Sequence, residues 1–210
     1  VTRVPLPGKF CFAAFNNRMA EKARGDYLLL LNNDTEVVQP DWLETLMLYA
    51  EQDDVGAVGP MLLYGDGTVQ HAGVILGPRG TADHVMRGFP GDSDGYAGSL
   101  QAAREVTAVT GACLLVRRDH YMACGGLNET FGRHYEDVDF CLRLRRLGLR
   151  NIFVGGARMV HHESKSRGSY YDFTDRVLLL DHWESWIQRG DPYYNPSFDP
   201  ERVDYSVRVA

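Results

Sequence analysis

A chain of 210 residues is long enough for one domain with a substantial core, and 44% hydrophobic with 24% charged residues is ordinary globular composition. The formal charge of -6 excludes nucleic acid as a general partner, because backbone phosphates need a basic face. The same acidity repels any phosphate-bearing ligand, so a phosphate site here needs a metal ion or local arginines to offset it.

The chain opens without an initiator Met or a signal-peptide pattern, which reads as an excised piece of something longer. Residues 15–24 have helical character and stop at Gly25. Residues 27–31 follow as a short apolar strand of the kind buried in a parallel sheet, running into Asn32-Asn33-Asp34-Thr35. Pro40 opens a helix whose apolar positions Leu43, Leu46, Met47 and Ala50 keep helical spacing. Residues 55–63 and 69–76 read as two strands around the turn Gly65-Asp66-Gly67. Residues 77–99, rich in Gly, Asp and Pro and without periodicity, read as a long mobile loop.

Strand character returns over 106–116, broken at Thr110-Gly111, and a helix over 136–147 is closed by Gly148. Two short strands, 151–154 and 158–160, lead into His161-His162. A last helix, 173–188, carries Val177, Leu180, Trp183 and Ile187 as a core-docking stripe. Residues 191–196 begin an irregular tail, which divides the chain into a domain over 1–190 and a tail over 191–210. No apolar run approaches the length that spans a bilayer. Cys11, Cys113, Cys124 and Cys141 form no Cys-x-x-Cys pair, so a reducing cytosol is the default compartment. This order of elements favours a layered α/β domain.

Three places carry candidate chemistry. Asp34 directly follows a buried strand, where open α/β sheets bind ligands, and with Asn32 and Asn33 it offers hard oxygen ligands for Mg²⁺ or Mn²⁺. Read singly, the same residues are turn chemistry. Glu136, Asp137 and Asp139 crowd one helix start, a place that acids favour electrostatically and that also holds a general base well. Asp139 can instead pair with Arg143 one turn on. His161-His162 sits after a strand, where imidazole ligates divalent metals or is simply exposed or hydrogen-bonded in the core.

Taken singly these signals are unspecific, but their order is not. Asn32-Asn33-Asp34, Thr110-Gly111-Ala112-Cys113, Gly125-Gly126-Leu127-Asn128-Glu129, Glu136-Asp137 and His161 together resemble the family 2 inverting glycosyltransferases, especially bacterial enzymes building rhamnan, O-antigen and other surface polysaccharides. The stretch from His161 to Gly168 and the run Asp191-Pro-Tyr-Tyr-Asn-Pro196 match a subset of them. The resemblance implies a GT-A fold: a Rossmann-like α/β mixed sheet flanked by helices, here lacking the first nucleotide-binding strands. It makes Asp137 the base with Glu136 beside it, and Asp34 and His161 the ligands of a divalent metal, with His162 the fallback. Asn32 stands where the family's metal motif has its first acid.

The resemblance assigns Asn16, Asn32, Gly111 and Ala112 to the nucleotide-sugar donor. Lys165 and Arg167 either reach the diphosphate or form a solvated basic loop. It further implies a saccharide or lipid-linked acceptor and work in the cytoplasm, at the inner face of the membrane if contact there is peripheral. Two other classes stay open: a metal-dependent hydrolase using the same acids and histidine, and a non-catalytic binding or assembly module.

Overall fold

The computed structural model describes residues 3–5, 7–8, 10–162 and 173–208. Lys165 and Arg167 lie outside the described residues. In chain order the elements are α1 Phe12–Lys22, β1 Tyr27–Leu31, β2 Thr35–Val37, α2 Trp42–Ala50, β3 Val55–Leu63, β4 Val69–His71, β5 Val74–Leu76 and β6 Ala82–His84. Then follow β7 Ala103–Val106, β8 Cys113–Arg117, α3 Arg118–Ala123, α4 Glu136–Arg146, β9 Arg150–His161 and α5 Phe173–Gln188.

Seven strands form one mixed sheet in the order β1-β8-β3-β9-β2, with β4 added to β3 and β7 to β9. Only β3 and β9 pair in parallel; β8 runs opposite to both β1 and β3. Strands β1, β3 and β9 therefore share a direction, and their carboxyl ends share one edge of the sheet. Both faces are covered, which explains why these strands read as continuous apolar runs. Alternation divides them by face. Leu114, Val116 and Phe153 join Phe140, Leu144, Tyr121 and Trp183 from the helices on one side, whereas Leu115, Ile152 and Val154 meet Leu46 and Ala50 of α2 on the other. Each such fully buried large side chain stabilises the fold by roughly 1.5–3 kcal/mol. Asn151, wholly buried, accepts from Ala57 N and donates to the carbonyls of Thr107 and Cys141, tying β3, α4 and the segment before β8.

The structure corrects several expectations. The two short strands before His161 are one, because Gly155 and Gly156 carry β9 through an irregularity rather than ending it. A Cβ at Gly155 would stand 2.2 Å from the Leu100 carbonyl oxygen, so only glycine passes there. Residues 77–99 are not a loose loop. They contain β6, hairpin-paired to β5, and two 3-10 turns, and they bury Pro78, Thr81, Val85 and Met86. Their glycines serve close packing instead: a Cβ at Gly91 would meet Leu63 at 2.5 Å. On α5 the buried positions are Asp175, Leu179, Trp183 and Ile187, one turn apart, while Val177 is exposed. Residues 191–208 fold back onto the sheet's neighbours. Asp191 accepts from Leu76 N at 2.8 Å, Val203 accepts from Met86 N, and Tyr194, Phe198 and Tyr205 form an aromatic cluster with Tyr96.

Candidate active site

After β1 the chain crosses the carboxyl edge of the sheet to reach β2 on the far side of β9. Asn32 N donates to Ala112 O at 2.9 Å on the way, and His162 N donates to Asp34 O at 2.8 Å on arrival. This crossing brings Asp34 to His161, 127 residues away in sequence, with Oδ1 and Nε2 3.0 Å apart. Thr35 Oγ1 donates to Asn32 O at 2.7 Å and stiffens the turn. His161 is buried at 6% exposure, whereas the Asp34 side chain is 46% exposed, so the pair opens to solvent on the aspartate side.

The ring of His161 is fixed from behind. Nδ1 lies 2.8 Å from Gln70 Oε1, so the ring is held on both sides, by Gln70 at Nδ1 and by Asp34 at Nε2. Asn32 Nδ2 approaches the same Nε2 at 3.3 Å. Gln70 is a residue that the sequence reading missed; its signal is slight, one amide between Val69 and His71 in the three-residue strand β4, buried at 6% exposure. His162 points elsewhere and pairs with exposed Glu36 at 2.7 Å, so the fallback ligand is engaged away from Asp34.

The acids stand at the other side of residues 110–112. Asp137 Oδ2 accepts from Gly111 N at 2.9 Å and Oδ1 from Val138 N at 2.8 Å. Hydrogen bonds to a charged group are each worth about 1.5–3 kcal/mol, so this carboxylate is held firmly. Gly111 packs against Asp137 and Phe12, and its neighbour Ala112 is the residue that receives Asn32. Adjacent residues of one segment thus touch both halves of the site. Burial raises the carboxyl of Asp137 above its ordinary range, against the pull of its backbone donors. Burial first, and the charge of Asp137 second, push Glu136 up to about 8. Glu136 Oε2 is a buried oxygen with no hydrogen-bond partner among the described residues.

Asp139 belongs to the fold. It is 2% exposed, pairs with Arg143 at 2.9 Å and accepts from Trp183 Nε1 at 2.8 Å. Asn16 bonds within its own helix, to Phe12 O at 2.9 Å. Its neighbour Asn17 clamps the Gly-Gly-Leu-Asn-Glu turn through Leu127 N, Leu127 O and Glu129.

The model for "Glycosyltransferase like family 2" matches residues 6–177, which include Asp34, residues 110–112, Glu136, Asp137 and His161. The chain belongs to this family. Among curated relatives, the O-antigen biosynthesis protein RfbC of Myxococcus xanthus is 40% identical over 95% of this chain, and the uncharacterized protein y4gI of Sinorhizobium fredii is 37% identical over 93%. The chain spans only 16% and 22% of those two proteins. The N-acetylglucosaminyl-diphospho-decaprenol L-rhamnosyltransferase of Mycobacterium tuberculosis is 29% identical over 68% of the chain, which spans 49% of it.

In fold, the family member resembles the mannosyltransferase PcManGT of Pyrobaculum calidifontis in complex with GDP-Man and Mn²⁺ (TM-score 0.54, 19% identity, 96% of this chain and 49% of that one). It also resembles GalNAc-T7 with UDP, GalNAc and Mn²⁺ (TM-score 0.59, 14% identity, 82% and 35%). The mixed sheet with flanking helices is accordingly that of the GT-A glycosyltransferases.

The Asp34–His161 pair fits a divalent cation. An imidazole nitrogen and a half-exposed carboxylate side by side are both ligand types that divalent cations take. Among the described residues no group of three His, Cys, Asp or Glu converges on one point. Two protein ligands suit Mg²⁺ or Mn²⁺, which fill the rest of their shell with water and phosphate oxygens.

Proposed function

We propose that this chain is the catalytic part of an inverting glycosyltransferase that moves a sugar from a nucleotide-sugar donor to a saccharide or lipid-linked acceptor in surface-polysaccharide synthesis. The observation that carries the reading is the 3.0 Å approach of Asp34 to Nε2 of His161, linked through residues 110–112 to the anchored carboxylate of Asp137. Asp34 and His161 would hold Mg²⁺ or Mn²⁺, which when bound supplies Lewis-acid stabilisation of the departing diphosphate.

Asp137 takes the proton of the acceptor hydroxyl as that oxygen forms its bond to C1 of the sugar. The C1–O bond to the diphosphate breaks, and its electron pair leaves with the nucleotide. Attack opposite the leaving group inverts the anomeric centre. Backbone donors at Gly111 and Val138 aim the Asp137 carboxylate, and general-base assistance of this kind is worth about 10²–10⁴-fold. Glu136, raised by its surroundings, shares the local proton load. Asn32, Gly111 and Ala112 would line the donor, and the roles of Asn16, Lys165 and Arg167 toward it stay part of the proposal.

No helix among the described residues is long and apolar enough to cross a membrane. Work in the cytoplasm, with peripheral contact to a membrane carrying a lipid-linked acceptor, completes the proposal. The test is a screen of nucleotide sugars against the protein with candidate acceptors, in Mn²⁺ and in EDTA. The reading predicts acceptor-dependent release of nucleoside diphosphate that EDTA abolishes. Equal release of free sugar without acceptor would make the protein a hydrolase, and binding without turnover of any donor would make it a binding module.

A further inference from the structure

A second carboxylate is built into the approach to the acid pair. Asp175, in the first turn of α5, is 1% exposed and accepts three consecutive backbone N–H groups. Gly132 N reaches Oδ1 at 2.7 Å, and Arg133 N and His134 N reach Oδ2 at 2.9 and 3.0 Å. Successive amides converging on one anion form a nest, here filled by a side chain of the protein itself. The next residue, Tyr135, has φ +68°, a region that residues other than glycine seldom adopt, and Glu136 follows at once as the first residue of α4. Strain of this kind persists only where neighbours over-determine the backbone. Asp175 fixes the peptides upstream, and Tyr135 O accepts from Asp139 N at 2.8 Å to fix the helix downstream.

We propose that Asp175 is a positioning residue for the Glu136–Asp137 pair: it sets where α4 begins, and so where both carboxylates stand, without touching substrate. This rests on the reading of that pair as the proton-handling groups of the reaction. A contact that only stabilised the fold would leave the titration of Glu136 alone. Asp175 does not, because its charge, across from α5, adds to that of Asp137 in raising Glu136.

The test compares the wild-type protein with Asp175→Asn, which keeps the size but turns an amide N–H₂ toward one or more of the three donors, and with Asp175→Glu, which keeps the charge and moves it. Three readouts are taken per folded molecule: transfer kinetics in Mn²⁺, the Glu136 carboxyl titration by ¹³C NMR, and amide exchange over 132–137. In Asp175→Asn we expect kcat to fall about 10-fold or more, with KM for the donor within about 2-fold. The Glu136 midpoint should move down and the 132–134 amides exchange faster. Asp175→Glu should lower kcat with a smaller change in midpoint, and it carries the test if Asp175→Asn does not fold. Unchanged kcat and midpoint, whatever the loss of stability, would overturn the proposal. If the wild-type protein transfers no sugar, the transferase reading fails, and the titration and exchange alone decide the positioning: both moved uphold it, both unmoved end it.

Discussion

The acid pair separates two carboxylates that the sequence presents alike. Asp137 is gripped on both oxygens by backbone donors, whereas Glu136 has a buried oxygen without a partner among the described residues. Asp137→Asn should therefore lower kcat by about 10²-fold or more with little change in folding. Asp139→Asn should act oppositely, costing about 3–5 kcal/mol of stability by breaking a buried ion pair while the residual folded enzyme keeps its turnover. Steady-state kinetics and thermal melts on both variants check this, and near wild-type turnover in Asp137→Asn would remove it as the base. Glu136 makes a separate prediction about pH. Its folded pKa is raised from 4.5 to about 8, so between those values the folded state binds the extra proton and stability falls as pH rises. Melting curves from pH 5 to 8.5 should show that decline in the wild type and a flatter profile in Glu136→Gln. The variant should melt a few degrees higher at the alkaline end, since at this size about 1 kcal/mol moves Tm by about 2–4 °C. An identical slope in both proteins would contradict the assignment.

At the scale of elements, β4 and the turn after β1 decide whether His161 can act as a ligand. Gln70 holds the ring at Nδ1, as partners of metal-bound histidines do elsewhere. Gln70→Leu should weaken Mn²⁺ binding about 10–100-fold, as read by calorimetric titration, and unchanged affinity would show that the ring needs no such partner. The segment 77–99 gives another check. Val85 N donates to Gly73 O and Met86 N to Val203 O, so these amides should resist hydrogen exchange far more than an unstructured loop. Exchange at unprotected rates would refute this description. The sequence showed why strand β8 is buried, because Cys113–Val116 are apolar on both faces, but it misled over β1, an end strand paired antiparallel to β8 with Leu31 44% exposed, and over 77–99. Glycine there reports close approach as readily as freedom, and only the neighbours, such as Leu63 beside Gly91, tell the two apart. Likewise Asp34 and His161 were legible as strand-end residues, but Gln70 was not. A glutamine between Val69 and His71 in a three-residue strand carries no motif to announce it, and its contact with His161 spans 91 residues.

For the whole molecule, the balance of charge and topology explains the economy of the site. A chain of net charge -6 receives an anionic donor only where positive charge is supplied locally, and a divalent ion at Asp34 and His161 would supply it. The topology does the rest. Running β1, β3 and β9 in one direction puts Asp34, residues 110–112 and His161 along one edge, and α4 delivers Asp137 to the same segment. The central claim is metal-assisted transfer with inversion, and real-time ¹H NMR of the protein with a nucleotide sugar that it accepts, Mn²⁺ and an acceptor tests it most directly. The account predicts a product whose anomeric configuration is opposite to the donor's, formed only with acceptor present and halted by EDTA. Retained configuration, or undiminished product in EDTA, would contradict it.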